Sequence, residues 1–135
     1  MPRPDRNLPT VLVVDDEPAI LRLLAKVLEG CGLNVLTAEG GEAGVKAYRR
    51  QHGTIALVLL DVQMPLPWDG PHTLIELGRV NPLVRMAFMS GSTGRYSAEE
   101  LLGLGALRIF EKPFPSVPDL ASDLKDLIAR THPPQ

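Results

Sequence analysis

Residues 55–65 read Ile55-Ala-Leu-Val-Leu-Leu-Asp61-Val-Gln-Met-Pro65. Six apolar residues run without a break into one aspartate, and Pro65 then forbids an easy continuation of either strand or helix. An unbroken apolar run of this kind suits a strand covered on both faces, as in a parallel sheet with helices above and below. Ligands bind at the carboxyl ends of the strands in such sheets, and Asp61 stands at that end. Taken alone, the position fits equally well an aspartate that opens a turn before Met-Pro.

The segments on either side repeat the theme. Thr10 to Val14 is a short β-branched run that ends in Asp15-Asp16-Glu17-Pro18. Pro18 suits the first turn of a helix, and Ile20, Leu24, Val27 and Leu28 recur at helical spacing up to Gly30. Asn34 to Ala38 reads as the second strand. A weaker helix follows Gly40-Gly41, with Ala43, Ala47 and Tyr48 on one side, and ends near Gly53. After the third strand, residues 61–71 read as a proline-rich loop, and Leu74, Leu77 and Gly78 mark a short helix that stops before Asn81-Pro82. A fourth strand is expected over 84–89, a helix around Ala98, Leu101 and Leu102, a fifth strand over 107–110, and a last helix opened by the capping signal Ser116-x-x-Asp119. Residues 1–9 form an expected flexible arm, 10–131 one domain, and 132–135 a tail. Five strands alternating with five helices, without repeat or linker, predict an α/β sheet of parallel strands joined by right-handed crossovers.

Composition narrows the function classes. The 135 residues are 44% hydrophobic and 22% charged, the balance of an ordinary globular domain long enough to bury about two-thirds of its unfolded surface. A formal charge of −2 with no basic run argues against direct nucleic acid binding and against an anionic membrane surface. No signal core and no apolar run of about 20 residues is present, so the chain is expected to be cytoplasmic. The single Cys31 cannot form an internal disulfide and, between Gly30 and Gly32, reads as a structural thiol. His52, His72 and His132 have no zinc-binding spacing, and Gly40-Gly41 is too little for a phosphate-cradling loop.

What distinguishes the polar residues is their placement. Asp15 and Asp16 end the first strand, Asp61 the third, Ser90 the fourth and Lys112 the fifth, all at one edge. If the first and third strands are neighbours, three carboxylates converge, and like charges that close call for a cation. A hard ion with oxygen ligands answers that need, and Mg2+ suits a site that shares a phosphate. A carboxylate beside Mg2+ can attack a phosphoryl group, with Lys112 and Ser90 holding phosphate oxygens. Each residue also has an ordinary reading: a solvated lysine, a Ser-Gly turn, a capping Asp pair.

Val-Leu-Val-Val-Asp15-Asp16-Glu-Pro, Leu-Val-Leu-Leu-Asp61-Val-Gln-Met-Pro, Phe-Met-Ser90-Gly and Phe-Glu-Lys112-Pro-Phe together resemble the receiver domain of two-component response regulators, over about residues 10–131. The resemblance implies a doubly wound, flavodoxin-like fold of strand order 2-1-3-4-5, for which a receiver protein is a standard example. It implies that Asp61 accepts a phosphoryl group from a histidine of a sensor kinase or phosphotransfer protein. Asp15, Asp16, Asp61 and the backbone carbonyl of Gln63 are then the Mg2+ ligands, Ser90 and Lys112 contact the phosphoryl oxygens, and Lys112-Pro113 is cis. The protein so read is a self-phosphorylating and self-dephosphorylating switch for an unnamed downstream target, not a turnover enzyme. Whether two copies pair through the fourth and fifth helices is left open.

Two departures stand out. Receivers often carry an aromatic residue three positions before the lysine, whose movement couples to the phosphate-sensing hydroxyl, and here that place is Ile109. The loop Met64-Pro-Leu-Pro-Trp-Asp-Gly is one residue longer than the common form and brings Trp68 near the site, as a gate, a partner surface or local packing. Tyr96 reads as an exposed recognition point or as a residue without a role. Two other function classes compete. An aspartate-nucleophile phosphatase needs an acid two residues after the nucleophile, where Gln63 cannot serve. A receiver-like interaction module that never uses phosphate has no need for so costly a charge cluster. With no room for an output domain after the last helix, the chain is expected to be a stand-alone receiver or one cut from a longer protein.

Overall fold

The computed structural model describes Asp5, residues 7–91 and residues 95–131, so residues 1–4 and 6 of the expected arm and the expected tail 132–135 lie outside the described residues. Along the chain run β1 (Thr10–Val14), α1 (Pro18–Gly30), β2 (Asn34–Ala38), α2 (Gly41–Gln51), β3 (Ile55–Asp61), α3 (Gly70–Val80), β4 (Met86–Ser90), α4 (Ala98–Gly103), β5 (Ile109–Glu111) and α5 (Val117–Thr131). The strands form one parallel sheet in the order β2-β1-β3-β4-β5. This is the doubly wound order that the resemblance implies.

Alternation along each strand builds two cores. Val11, Val13, Leu57, Leu59, Ala87 and Met89 face α1 and α5, against Leu24, Leu28, Leu124 and Ile128. Leu12, Val14, Val58, Leu60, Met86 and Phe88 face the other way, against Val45 and Tyr48 of α2, Leu74 and Leu77 of α3, and Leu101 of α4. The central strands are therefore apolar at nearly every position, which is why their sequences show no period of two.

Three boundaries differ from the expectation, each for a local reason. The third helix begins at Gly70, inside the expected loop 61–71, because Asp69 accepts the His72 N–H at 3.0 Å as N-cap and Pro71 fits the first turn, where no amide hydrogen is needed. The fourth strand starts at Met86 instead of 84, since Val84 N–H donates to the Asn81 carbonyl at 3.0 Å and Leu83 N–H to Asn81 Oδ1 at 3.0 Å, holding that segment in a turn. The fifth strand is Ile109–Glu111 instead of 107–110, being set by its pairing with β4, Phe88 opposite Ile109 and Ser90 opposite Glu111. At the last helix, Asp119 N–H donates to Ser116 Oγ at 3.2 Å, as the capping signal predicts.

Below β1 the chain is tied to the start of β2. Asn34 donates through its side chain to the carbonyls of Asp5 and, at 3.0 Å, Leu8, and accepts the Asp5 N–H at 3.0 Å. Cys31 is the C-cap of α1, half-buried against the α1/α5 face.

Candidate functional site

Register brings the polar residues together. Val14 pairs with Leu60, so Asp15 and Asp61 leave adjacent strands side by side. Asp61 in turn pairs with Met89, and Ser90 with Glu111, which sets Ser90 one step beyond Asp61 and Lys112 one step beyond Ser90. The Lys112 N–H donates to the Ser90 carbonyl at 2.8 Å, continuing the ladder past its last assigned pair.

Asp15 is fully buried and Asp61 is 3% exposed, while Asp16 is exposed. One carboxylate oxygen from each of the three lies within 4.8 Å of the others. The Lys112 ammonium bridges the buried pair, 2.8 Å from Asp15 Oδ2 and 3.3 Å from Asp61 Oδ1. The other Asp15 oxygen accepts the Glu17 N–H at 2.9 Å, which fixes the turn into α1. Three carboxylates thus converge where one ammonium pairs with two of them, and the oxygen-only donor set with its surplus negative charge suits a hard divalent cation.

The titration behaviour follows from burial first and from the neighbouring charges second. Burial, then the charge of Asp15, pushes Asp61 up to about 6 from 3.8; the charge and hydrogen bond of Lys112 and the Gln63 backbone N–H pull the other way without prevailing. Burial pulls the Lys112 ammonium down, yet its hydrogen bond to Asp15 and the charges of Asp61 and Asp15 outweigh it and leave its pKa raised. The lysine is therefore held firmly as a cation, chiefly by Asp15. Asp61 keeps the weaker share.

Ser90 and Lys112 line one cleft of about 300 Å³ with Ile109, Leu101 and Tyr96. A second hollow of about 380 Å³ is lined by Asp16, Lys46, Met64 and Trp68. Trp68 is half-buried, edge-on to the His72 ring at 4.8 Å between centroids. A Cβ on Gly41 would approach Trp68 Cβ to 2.9 Å, so the lengthened loop packs directly on the first residue of α2. The Leu66–Pro67 and Lys112–Pro113 peptides are both cis, the second as the resemblance implies.

Of the expected site residues, Asp15, Asp16, Asp61, Lys112 and Ser90 all reach this edge, and Gln63 joins them through its backbone N–H to Asp61. Tyr96 differs from the exposed recognition point considered above: it is half-buried, and its hydroxyl donates to Asp69 Oδ2 at 2.8 Å. Asp69 itself carried no expectation. Its place before Gly70-Pro71 signals a helix cap, but no local pattern signals a bond to a residue 27 positions away.

The model of the response regulator receiver domain matches residues 11–125. The chain is 34% identical over 122 residues to the transcriptional regulatory protein ZraR of Escherichia coli, covering 90% of this chain and 27% of ZraR. It thus spans only about a quarter of that curated relative. A response regulator receiver domain protein from Clostridium thermocellum superposes with a TM-score of 0.83 at 28% identity, over 91% of this chain and 96% of that one. The response regulator TrrA of Thermotoga maritima, crystallised in complex with Mg2+-BeF, superposes with a TM-score of 0.73 at 28% identity, over 89% and 99%. The family match covers most of the chain and includes every strand end at the acidic site, so the chain belongs to the response regulator receiver domains.

Proposed function

We propose that the protein is a phosphoacceptor switch in which Asp61 takes a phosphoryl group from a phosphohistidine of a sensor kinase or phosphotransfer protein. The observation that supports this best is the convergence of Asp15, Asp16 and Asp61 within 4.8 Å, with Lys112 3.3 Å from Asp61. Asp15, Asp16, Asp61 and the Gln63 carbonyl hold Mg2+, which neutralises charge on the transferring group. An Asp61 carboxylate oxygen forms the new bond to phosphorus as the P–N bond breaks, and the imidazole leaves with the electron pair and takes up a proton. Lys112 and Ser90 bind phosphoryl oxygens, so the charge added at Asp61 meets a cation and a hydroxyl already in place.

The protein is not a turnover enzyme in this reading. Gln63, two residues after the nucleophile, cannot donate or accept the proton that rapid hydrolysis needs. Phosphorylation instead biases an equilibrium between two states and thereby the surface offered to a downstream target. The test is intact mass after incubation with phosphoramidate and Mg2+. One phosphoryl group should be gained by the parent and none by Asp61→Ala. A gain that persists in Asp61→Ala rejects the assignment of Asp61, and no gain in the parent favours an interaction module that does not use phosphate.

A further inference from the structure

One hydrogen bond joins the starts of two helices. Tyr96 O–H donates at 2.8 Å to Asp69 Oδ2, and Asp69, only 7% exposed, uses its other oxygen to cap α3 through the His72 N–H at 3.0 Å. Tyr96 directly precedes Ser97, which caps α4: Glu100 N–H donates to Ser97 Oγ at 3.1 Å and Ser97 N–H to Glu100 Oε1 at 3.0 Å. The short α4 is thereby moored to α3 at its first turn.

Both ends of this bond lead to the acidic site. Beside Asp69, the Gly70 N–H donates to the Val62 carbonyl at 2.9 Å, and a Cβ on Gly70 would lie 2.9 Å from the Asp61 carbonyl oxygen. The start of α3 therefore rests on the backbone of Asp61 and Val62. At the other end, the Tyr96 ring borders the cleft of about 300 Å³ that Ser90, Lys112 and Ile109 also line. Ser90 and Lys112 are the residues proposed above to engage the phosphoryl oxygens, and the space next to Tyr96 is large enough to receive part of its ring.

We infer that Tyr96 is a positioning residue that couples the Asp61 site to α4: its hydroxyl on Asp69 holds the resting state, and charging of Asp61 releases it. This rests on the phosphoacceptor reading. Converting the Asp61 carboxylate, with one negative charge, into an acyl phosphate with about two adds about one negative charge and a set of strong acceptor oxygens there. Drawing Ser90 and Lys112 onto that group reshapes the cleft wall that Tyr96 shares with them. The ring then moves toward the cleft and α4 loses its mooring. A bond present in one state and absent in the other shifts the equilibrium by its own free energy, and a phenol on a carboxylate supports a shift of about tenfold.

The experiment compares the full chain with Tyr96→Phe, which removes one oxygen atom, and Asp69→Ser, which keeps an N-cap but is too short to reach Tyr96. Beryllofluoride with Mg2+ is the probe, read by equilibrium binding and by amide hydrogen exchange of α4. Each variant should bind beryllofluoride about five- to tenfold more tightly than the parent, with Mg2+ affinity alone unchanged. In the unmodified variants α4 should exchange faster, and the double variant should behave as either single one. Beryllofluoride affinity and α4 exchange equal to the parent's in Tyr96→Phe overturn the inference, as do additive effects in the double variant. A parent that gains phosphoryl mass while Tyr96→Phe stays parent-like rejects only the coupling by Tyr96, whereas a parent that takes up neither phosphoryl group nor beryllofluoride rejects the phosphoacceptor reading with it.

Discussion

Gly70 is packed onto the end of β3 so closely that a Cβ there would lie 2.9 Å from the carbonyl oxygen of Asp61. The same atom would stand 2.8 Å from Val62 Cα and 3.0 Å from the Phe88 ring, so backbone on one side and a buried ring on the other leave nothing free to yield. Gly70→Ala should lower stability by about 1–3 kcal/mol through overpacking and slow phosphoryl uptake by more than about tenfold, because Asp61 is displaced. Gly78, in the same helix, has nothing within 4 Å of its Cβ position beyond the local backbone of its own helix. Gly78→Ala should therefore stabilise by about 0.5–1 kcal/mol without changing uptake. Thermal unfolding and time-resolved intact mass check both, and equal effects of the two substitutions would contradict the packing argument.

The raised pKa of Asp61, about 6 against 3.8, makes stability depend on pH in a direction opposite to that of a salt-bridged carboxylate. Between these values the folded protein binds more protons at this site than the unfolded chain, so the contribution of Asp61 falls as pH rises from about 3.8 to about 6. With divalent ions chelated, Asp61→Asn should be more stable than the parent at pH 7.5 by about 1–2 kcal/mol, with the gain shrinking at pH 4.5. Urea unfolding at the two pH values measures it. A variant less stable than the parent at both would refute the electrostatic account.

Lys112 is the counter-ion of two buried carboxylates, and its removal leaves both uncompensated. Lys112→Met should destabilise the chelated protein by about 3–5 kcal/mol, the range for breaking a buried ion pair from one side. Mg2+ should restore more stability to this variant than to the parent, since the same acidic oxygens then lack a competing cation. Unfolding curves with and without Mg2+ decide the matter, and an equal Mg2+ increment in both proteins would count against it.

Trp68 is the single tryptophan of the chain and walls the hollow that Asp16 also lines. Its emission should change on addition of Mg2+ and should do so far less in Asp16→Asn, at matched ionic strength. Fluorescence titration reads this, and an unaltered response in Asp16→Asn would place the ion elsewhere.

Much of the site was legible because strand ends can be read from apolar runs, and parallel strands of one sheet end on one edge. Asp15, Asp16, Asp61, Ser90 and Lys112 each follow such a run, and register then set them side by side. Strand limits were less legible where pairing decides them: Ile109–Glu111 is a strand because of where β4 lies, not because of its own residues. The start of α3 was obscured by Pro71, a residue that breaks helices in their middle and suits their first turn.

The alternation of strands and helices, the edge on which the chemistry gathers and the identity of the acidic groups are all readable from the residues, since burial pattern and breakers are local properties of the chain. The division of one lysine between Asp15 and Asp61, and the mooring of Tyr96 to Asp69, emerge from the folded arrangement alone. Those depend on distances of a few ångströms between segments far apart in sequence, where two hydrogen bonds to one ammonium compete, and no periodicity encodes that balance.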